Sequence, residues 1–390
     1  MLALTKAFGT LYAAALLMQL GSSLLMTYLA LRLEAAGMAA FWGGALMAAN
    51  ALGMVVGGRL GYWLIGLVSH PRAFVVCAAI IVTTVLSHQL SDDLGLWLAL
   101  RFVVGAAMMC QLMVIESWLN DCALPGRRGG TLSVYMVTSY VGMMLGQLLL
   151  GLGEGLDVLA LSAVAIAFAL GVVPMAMHQG LQPGALALQR VAVGRYVRRL
   201  PQAMGTVLAS GLLNGCFYGL APIFAAQMGF APPQVGQFMA LGIAAGLVAQ
   251  LPLGWLSDRV SRATLIRATG VLLCLACLPM ALLRSPSGAV LMALGAAIGF
   301  LQFCLYPLGV AYANEHLEPA LRVSLAGVLL MTFGVGAALG PLVAGAMMER
   351  TGPQALYLFA IAVALALALL IRPHTVRSSV DGAAPPVSPG

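Results

Sequence analysis

Twelve stretches of mostly apolar residues, separated by short gaps rich in glycine, proline or charge, constrain this chain most. An α-helix needs about 20 such residues to cross the ~30 Å hydrocarbon core of a bilayer. We therefore predict an all-α integral membrane protein with twelve transmembrane spans. The spans are 8–31, 40–66, 73–90, 94–118, 130–152, 158–178, 202–226, 234–256, 264–283, 288–313, 323–348 and 354–371.

The composition excludes several classes of protein. Of the 390 residues, 62% are hydrophobic and 8% are charged, against about 45–50% and about 25% in soluble domains. So few charges cannot cover a soluble surface, which excludes a soluble enzyme, a disordered chain and a nucleic-acid-binding domain. The net charge of +7 is then a topology signal, since cytoplasmic loops of membrane proteins are rich in Lys and Arg.

The basic residues predict the orientation. With a cytoplasmic N-terminus, only Arg32, Arg284 and Arg350 fall on the far side, and Arg101 falls within span 4. The predicted cytoplasmic set is Lys6, Arg59, Arg72, Arg127, Arg128, Arg190, Arg195, Arg198, Arg199, Arg259, Arg262, Arg267, Arg322, Arg372 and Arg377. This bias predicts that both termini are cytoplasmic, as an even number of spans requires.

An internal repeat divides the chain. The pattern G-x-x-x-G-Q-x-x-x-G from Gly142 in span 5 returns as G-x-x-x-G-P-x-x-x-G from Gly336 in span 11, at an offset of 194 residues, and Arg128 matches Arg322 at the same offset. Small residues at this spacing are also common wherever membrane helices pack closely. A repeat in the same orientation predicts a parallel-repeat transporter. Its predicted parts are six-helix bundles at 1–178 and 202–372, a cytoplasmic linker at 179–201 and a disordered tail at 373–390.

Cysteine and histidine offer no cofactor site. The Cys274-x-x-Cys277 pair lies inside an apolar span with no histidine nearby, and the five histidines have no metal-ligand spacing. We predict no metal, no cofactor and no catalytic residue. The expected partners are a small-molecule substrate, protons and the lipid bilayer, with no nucleic acid, and the chain is expected to be a monomer.

The gap between spans 8 and 9 carries a motif. Residues 254–262 read G-x-L-x-D-R-x-x-R, with Gly254, Asp258, Arg259 and Arg262 at the defining positions. This resembles the loop signature of the major facilitator superfamily. An Asp at a helix end can pair with Arg or with a helix N-terminus, so these residues are candidate latch groups. The corresponding loop of the first half departs from the signature.

Two further segments resemble the same superfamily. Span 4 has an Arg four residues before a Gly, at Arg101 and Gly105. Span 11 carries the Gly340-Pro341 step of a proton-antiporter pattern, which normally lies in span 5, where Gly146 is followed by Gln147 here. Motifs along nearly the whole chain are similar to those of YcaD-type facilitators. That resemblance implies the major facilitator fold, a bacterial inner membrane location and transport by rocker-switch alternating access, but no particular cargo.

Polar side chains within spans are costly and are therefore functional candidates. The superfamily resemblance implies that spans 1, 2, 4, 5, 7, 8, 10 and 11 face a central cavity, and mid-span amides fall on these helices. The alternative is that such amides hydrogen-bond between helices as packing contacts, worth about 0.6 kcal/mol each. The predicted substrate-binding residues are Gln19, Asn50, Gln111, Asn214, Tyr218, Gln302 and Tyr306.

Charged groups near the spans give candidates for coupling and gating. Arg101 is a candidate coupling or substrate-charge residue, and the alternative is that it snorkels outward or pairs with Asp92 or Asp93. Glu116 and Arg128 are a candidate cytoplasmic gate pair, and the alternative for Glu116 is a plain carboxylate at a helix end. Gly146, Gly340 and Pro341 are conformational candidates.

The leading hypothesis is a secondary transporter for a weakly polar or amphipathic solute, working as proton-coupled efflux. The alternatives are a facilitator or uptake carrier for a small metabolite, a sensor with this fold, and a membrane-embedded enzyme acting on lipid. The enzyme would need a cluster such as Glu116, Asp121, Arg127 and Arg128, which contains no histidine. The sequence has no G-x-x-x-x-G-K-[ST] motif, which excludes a self-contained ATP-driven pump.

Overall fold

The computed structural model describes residues 2–123, 128–152, 158–177, 198–257, 259–284, 286–315 and 322–371. Its helices, numbered by span, are α1 (Leu2–Ala35), α2 (Ala40–Val68), α3 (His70–Ser87), α4 (Leu94–Cys122), α5 (Arg128–Leu149), α6 (Val158–Ala176), α7 (Pro201–Gln227), α8 (Pro232–Ser257), α9 (Arg262–Leu282), α10a (Gly288–Gln302), α10b (Leu305–Glu315), α11 (Arg322–Thr351) and α12 (Ala355–Leu370). The predicted linker 179–201 lies almost wholly outside the described residues, as does the predicted tail.

The helices confirm the twelve predicted spans. Within the described ranges, eleven segments are long and apolar enough to cross a membrane, with α10a and α10b forming one of them. The last span, α12, has 16 residues. One feature was not predicted: span 10 is broken around Phe303 and Cys304 into two helices.

Local chemistry sets where these helices begin. Asp93, Ser261 and Ser287 cap α4, α9 and α10a, since each side chain accepts a hydrogen bond from a backbone N–H of the first turn. Pro71 and Pro201 occupy first-turn positions, where no N–H is needed. The connections that precede α3, α4, α9 and α10a are short, so each of these helices runs antiparallel to the one before it.

The alternating helices define two faces of the bundle. The face at which α1, α3, α5, α7, α9 and α11 begin is called the basic face, and the other is called the opposite face. Described arginines near the basic face are Arg59, Arg72, Arg198, Arg199, Arg259, Arg262 and Arg267, against Arg32, Arg284 and Arg350 near the opposite face. The assignment of the basic face to the cytoplasm stays a prediction.

The repeat is visible in how glycines pack. Gly142 and Gly146 of α5 lie against the backbone carbonyls of Leu16 and Leu20 on α1. In the second half, Gly336 and Gly340 of α11 lie in the same way against Leu208 and Leu212 of α7. A Cβ at any of these glycines would collide with backbone, so both halves use the same close, parallel packing. This confirms the predicted parallel-repeat fold.

The two halves touch in the half of the bundle next to the opposite face. Pro341 of α11 presses its carbonyl on Gly44 of α2, and Gly345 lies against Phe41. Between α5 and α8, Gly236 packs on the carbonyl of Gln147. Contact between α2 and α11 continues inward as far as Gly334 and Val55. The opposite face is therefore closed.

Towards the basic face the halves separate. The last buried residue of α8 is Ala249, and Gly254 beyond it has open space around it. In α2, the only buried positions after Gly53 are Gly57, Gly61 and Ile65, and the first two pack on α4 within the same half. Beyond Val55, therefore, α11 does not pack on α2 within the described ranges. We infer from these contacts that a gap between the halves opens to the basic face, and we call this gap the cavity.

Candidate functional site

Glu116 lies on the wall of this cavity. It sits six residues before α4 ends, and its side chain is exposed although its neighbours Ile115 and Trp118 are buried. The buried Tyr135 of α5 donates a hydrogen bond from its hydroxyl to Glu116 Oε1 at 3.3 Å. The sequence predicted Glu116 at the cytoplasmic end of span 4 as part of a gate pair, and that role stays a prediction.

The second half faces Glu116 with an aromatic pair. Tyr306 of α10b, in the second half, lies close enough to Glu116 to interact with it electrostatically. The Tyr306 ring packs edge-on against Phe333 of α11, with ring centroids 5.1 Å apart. Tyr135 of the first half therefore orients the Glu116 carboxylate, which faces the second half.

Four rings close the inner end of the cavity. Phe303, at the break in span 10, packs against Tyr140 of α5, Phe217 and Tyr218 of α7, with ring centroids 6.0, 5.3 and 6.0 Å apart. The side chain of Gln250 on α8 also lies close to the Tyr140 hydroxyl. We call Tyr140, Phe217, Tyr218 and Phe303 the aromatic roof. It joins helices of both halves and separates the open cavity from the closed side.

Arg101 lies on the closed side of the aromatic roof. Its side chain is 2% exposed, its Nη2 contacts Met26 Sδ, and no partner is found for its Nε within the described ranges. It borders a cavity of about 10 Å³, room for roughly one water molecule. The other lining residues come from both halves: Met26, Leu29, Ala30, Gly43, Leu46, Met47, Tyr218 and Gly219.

Neither structural alternative for Arg101 is seen. A snorkelling arginine would reach solvent, and Arg101 does not. Asp92 instead pairs with Arg32 at 3.0 Å, and Asp93 caps α4. Arg101 is thus a buried cation between the two halves with no carboxylate beside it among the residues described.

Two of the predicted amides lie within single halves. Gln111 is fully buried and donates from Nε2 to the backbone carbonyl of Phe74 on α3, at 3.3 Å. Asn214 donates from Nδ2 to Ser210 on its own helix, at 2.9 Å to the carbonyl and 3.1 Å to the hydroxyl. These contacts match the packing alternative. The structure does not bring these two amides to Glu116.

The other amides are also buried. Asn50 lies 3.8 Å from Met54 Sδ on its own helix, and Gln19 is 9% exposed. Asn50 Oδ1 and Gln302 Nε2 have no partner within the described part of the chain. Gln302 ends α10a, next to Phe303 in the aromatic roof. Its substrate-binding role stays a prediction, with a location beside the cavity.

The predicted latch is seen in part. Arg262 binds the carbonyl of Ala311 at 3.0 Å and Glu315 at 3.1 Å, which ties the start of α9 to the end of α10b. Arg259 stacks 3.7 Å above the ring of Trp255. Asp258 and the side chain of Arg128 lie outside the described residues, so the Asp258 latch and the Glu116–Arg128 pair stay predictions.

Sequence reasoning missed the phenylalanines of the site. Phe217, Phe303 and Phe333 line it beside the tyrosines, but without a hydroxyl they look like ordinary apolar span residues. A usable signal was their position next to polar candidates, since Phe217 precedes Tyr218 and Phe303 follows Gln302. Gln250 of span 8 was missed as well, although it lies no further from the centre of its span than Gln111 does.

Comparisons with known proteins indicate the family. A family model described as Major Facilitator Superfamily matches residues 203–387. Relatives from Salmonella typhimurium and Salmonella arizonae are each 26% identical over 369 residues, covering 94% of this chain and 95% of theirs; both are described as "Uncharacterized MFS-type transporter YcaD". Over nearly its whole length the chain is therefore similar to members of the major facilitator superfamily, and it has the fold of that superfamily. It is a multi-pass membrane transporter and not an enzyme, which excludes the lipid-modifying alternative.

Solved structures agree with this fold. The nucleoside transporter NupG superposes with a TM-score of 0.73 at 18% identity, covering 93% of this chain and 97% of its own. A bacterial homologue of the human lysosomal transporter Spinster, in an inward-facing and unoccupied conformation, gives 0.72 at 15% identity, covering 94% and 95%. At these identities the likeness concerns the fold of the facilitator superfamily, not the cargo.

Proposed function

We propose that this transporter moves a small, weakly polar or amphipathic solute out of a bacterial cell across the inner membrane. The observation that carries the proposal is the cavity itself. Among the residues described it has one carboxylate, Glu116, opposite the Tyr306–Phe333 pair and beneath the aromatic roof. Sugars need many hydroxyl-binding groups, and sugar phosphates need paired cations. Aromatic walls instead bind apolar surface and leave a few polar groups to orient the solute.

The transport cycle we propose is a rocker switch. In this structure the halves touch at Gly44 and Pro341 near the opposite face and separate near the basic face. With the basic face in the cytoplasm, this is the inward-open state. Rocking one bundle against the other would break the Gly44–Pro341 contact and close the cavity from the basic side.

Proton coupling is the second part of the proposal. Arg101 is buried between the halves without a carboxylate partner among the described residues. Burying an unpaired charge is costly. This cost is relieved when the bundle opens at the opposite face and water reaches Arg101. The charge of Arg101 therefore biases the conformational step on which coupling acts, although Arg101 keeps its charge and carries no proton itself.

Inside-out membrane vesicles test the proposal. The probes are the cationic dye ethidium and the neutral dye N-phenylnaphthylamine, with an imposed pH gradient, acid inside. We expect at least one dye to accumulate in vesicles carrying the protein and to be released by the proton exchanger nigericin. Accumulation that ignores the gradient would favour the facilitator alternative, and no accumulation of either dye beyond control vesicles would reject amphipathic cargo.

A further inference from the structure

We propose that the cargo carries a cationic group that binds Glu116. This deepens the proposed function and rests on it, since an amphipathic solute can be neutral, anionic or cationic. The structure favours the cation through three separate features of the cavity: its charge, the free capacity of its carboxylate and the rings around it.

The first feature is that no described basic side chain neutralises Glu116. Arg262 is held by Ala311 and Glu315 at the end of α10b, and Arg259 lies over Trp255. Arg101 lies on the far side of the aromatic roof, about 22 Å away along α4 at 1.5 Å per residue. Within the described residues the cavity therefore has a negative charge, which repels anions and attracts cations.

The second feature is the capacity left on the carboxylate. An ionised carboxylate offers about four lone-pair sites, and Tyr135 uses one of them at Oε1. The hydroxyl of Tyr135 is buried behind Glu116 on the adjacent helix α5, so it fixes the orientation of the carboxylate. The exposed side of Glu116 remains open to a ligand in the cavity.

The third feature is the aromatic surface around this charge. Tyr306 and Phe333 face Glu116 from the second half, and Tyr140 and Phe303 lie in the aromatic roof above it. Ring faces attract organic cations, while they offer little to a simple hydrated ion. A carboxylate among such rings fits an organic cation with apolar substituents, such as a quaternary ammonium or phosphonium compound.

Closure of the basic side makes this pairing functional. When the halves approach there, Glu116 loses its water, and an unpaired carboxylate then opposes closure because its desolvation is uncompensated. A bound organic cation supplies the missing charge. The cargo thereby permits the step that carries it across the membrane.

The test uses tetraphenylphosphonium and tetraphenylborate, which share their shape and differ in the sign of their charge. Binding to the purified full chain is measured by calorimetry for the wild type, Glu116→Gln, Glu116→Asp and the control Asp121→Asn, an exposed carboxylate five residues further along α4. We expect tetraphenylphosphonium to bind about tenfold or more weakly to Glu116→Gln, as for loss of a charged partner. Glu116→Asp should keep most of the affinity, and Asp121→Asn should match the wild type.

Three results would overturn the proposal. One is equal binding of tetraphenylphosphonium to Glu116→Gln and the wild type when both have the same thermal stability. Another is preference for tetraphenylborate. The third is binding of the cation only after Arg128→Gln, which would assign the carboxylate to Arg128. Failure of the proposed function is distinguishable. Gradient-driven accumulation of the neutral dye without binding of tetraphenylphosphonium would keep the efflux of an amphipathic solute and reject the cationic cargo, whereas no accumulation of either dye would reject the proposed function.

Discussion

Arg101 and Glu116 lie on the same helix, α4, in opposite environments: the cation is 2% exposed and the anion is open to solvent. Fifteen residues place them about 22 Å apart along the axis and about 60° apart around it. They flank the aromatic roof from its two sides. If the halves rock about this roof, opening one side hydrates one charge and dehydrates the other.

Arg101→Met removes the buried charge and keeps an apolar side chain of similar length. We expect a higher melting temperature in detergent, since the structure shows no carboxylate that compensates Arg101 among its described residues. Gradient-driven transport should fall, because the bias on the conformational step is lost. The matched control is Arg32→Met, because the partly exposed Arg32–Asp92 pair is worth only about 0–1 kcal/mol.

A lower melting temperature for Arg101→Met than for Arg32→Met would contradict this account of Arg101. Separately, unchanged gradient-driven transport by Arg101→Ala would remove Arg101 from the coupling role. The two measurements are independent, since the first concerns stability and the second concerns the cycle.

Gly44→Leu tests the contact that closes the opposite face. A side chain at Gly44 would collide with the carbonyl of Pro341, whereas Gly58 on the same helix has open space. Overpacking of this kind costs about 1–3 kcal/mol. We expect Gly44→Leu to shift the population towards the state open at the opposite face, and Gly58→Leu to leave it unchanged.

Spin labels report this shift. With native cysteines removed, labels at Trp63→Cys on α2 and Leu330→Cys on α11 lie near the basic face, where the halves are apart. Their separation should shorten in Gly44→Leu. An unchanged distance distribution in a folded protein would mean that the Gly44–Pro341 contact does not decide the conformation.

Gln111→Leu separates packing from binding among the predicted amides. Because Gln111 bonds to Phe74 within the first half, we expect the apparent KM for ethidium to stay at the wild-type value, with only a change in melting temperature. Tyr306→Ala removes a ring from the cavity wall and should raise the KM. If both variants raise the KM equally, Gln111 reaches the cargo in another state of the cycle.

His88 predicts how stability depends on pH. It lies between α3 and α4, fully buried, with Nδ1 2.9 Å from the carbonyl of Thr84. Burial lowers the pKa of His88 from 6.5 to about 4; the Thr84 bond partly opposes this, and the charge of Arg101 adds to it. The neutral form is therefore the stable one, and its contribution is present above pH 6.5 and is lost as the pH falls towards 4.

At pH 5 the expected loss is about 2 kcal/mol relative to pH 7, at 1.36 kcal/mol per unit of pKa difference. His88→Gln should flatten this part of the curve of melting temperature against pH. A variant curve that falls as steeply as that of the wild type between pH 6.5 and 5 would show that other groups carry the dependence.

The sequence predicted the fold well because the spans and the repeat depend on local composition. Apolar length is set by the bilayer, and the glycines at Gly142 and Gly336 mark the same packing in each half. The break at Phe303 was not predictable from hydropathy, since both pieces of span 10 are apolar. Pro307 was a usable signal, because it has no backbone N–H to donate to the carbonyl of Phe303, four residues earlier.

The candidate site was predicted less well, because helix membership does not fix which way a side chain points. Gln111 and Glu116 lie on one helix, yet the first faces α3 and the second faces the cavity. Such facts depend on tertiary contacts that a single sequence does not contain.

The packing of Gly142 and Gly146 on Leu16 and Leu20, repeated in the second half, has an evolutionary consequence. These glycines press on backbone carbonyls and not on side chains. The leucines that supply the carbonyls are therefore free to drift to other residues, while the glycines are not. Descendants of this chain could lose most of their sequence likeness and still inherit two rigid bundles, leaving the cavity wall as the part on which new cargo preferences are selected.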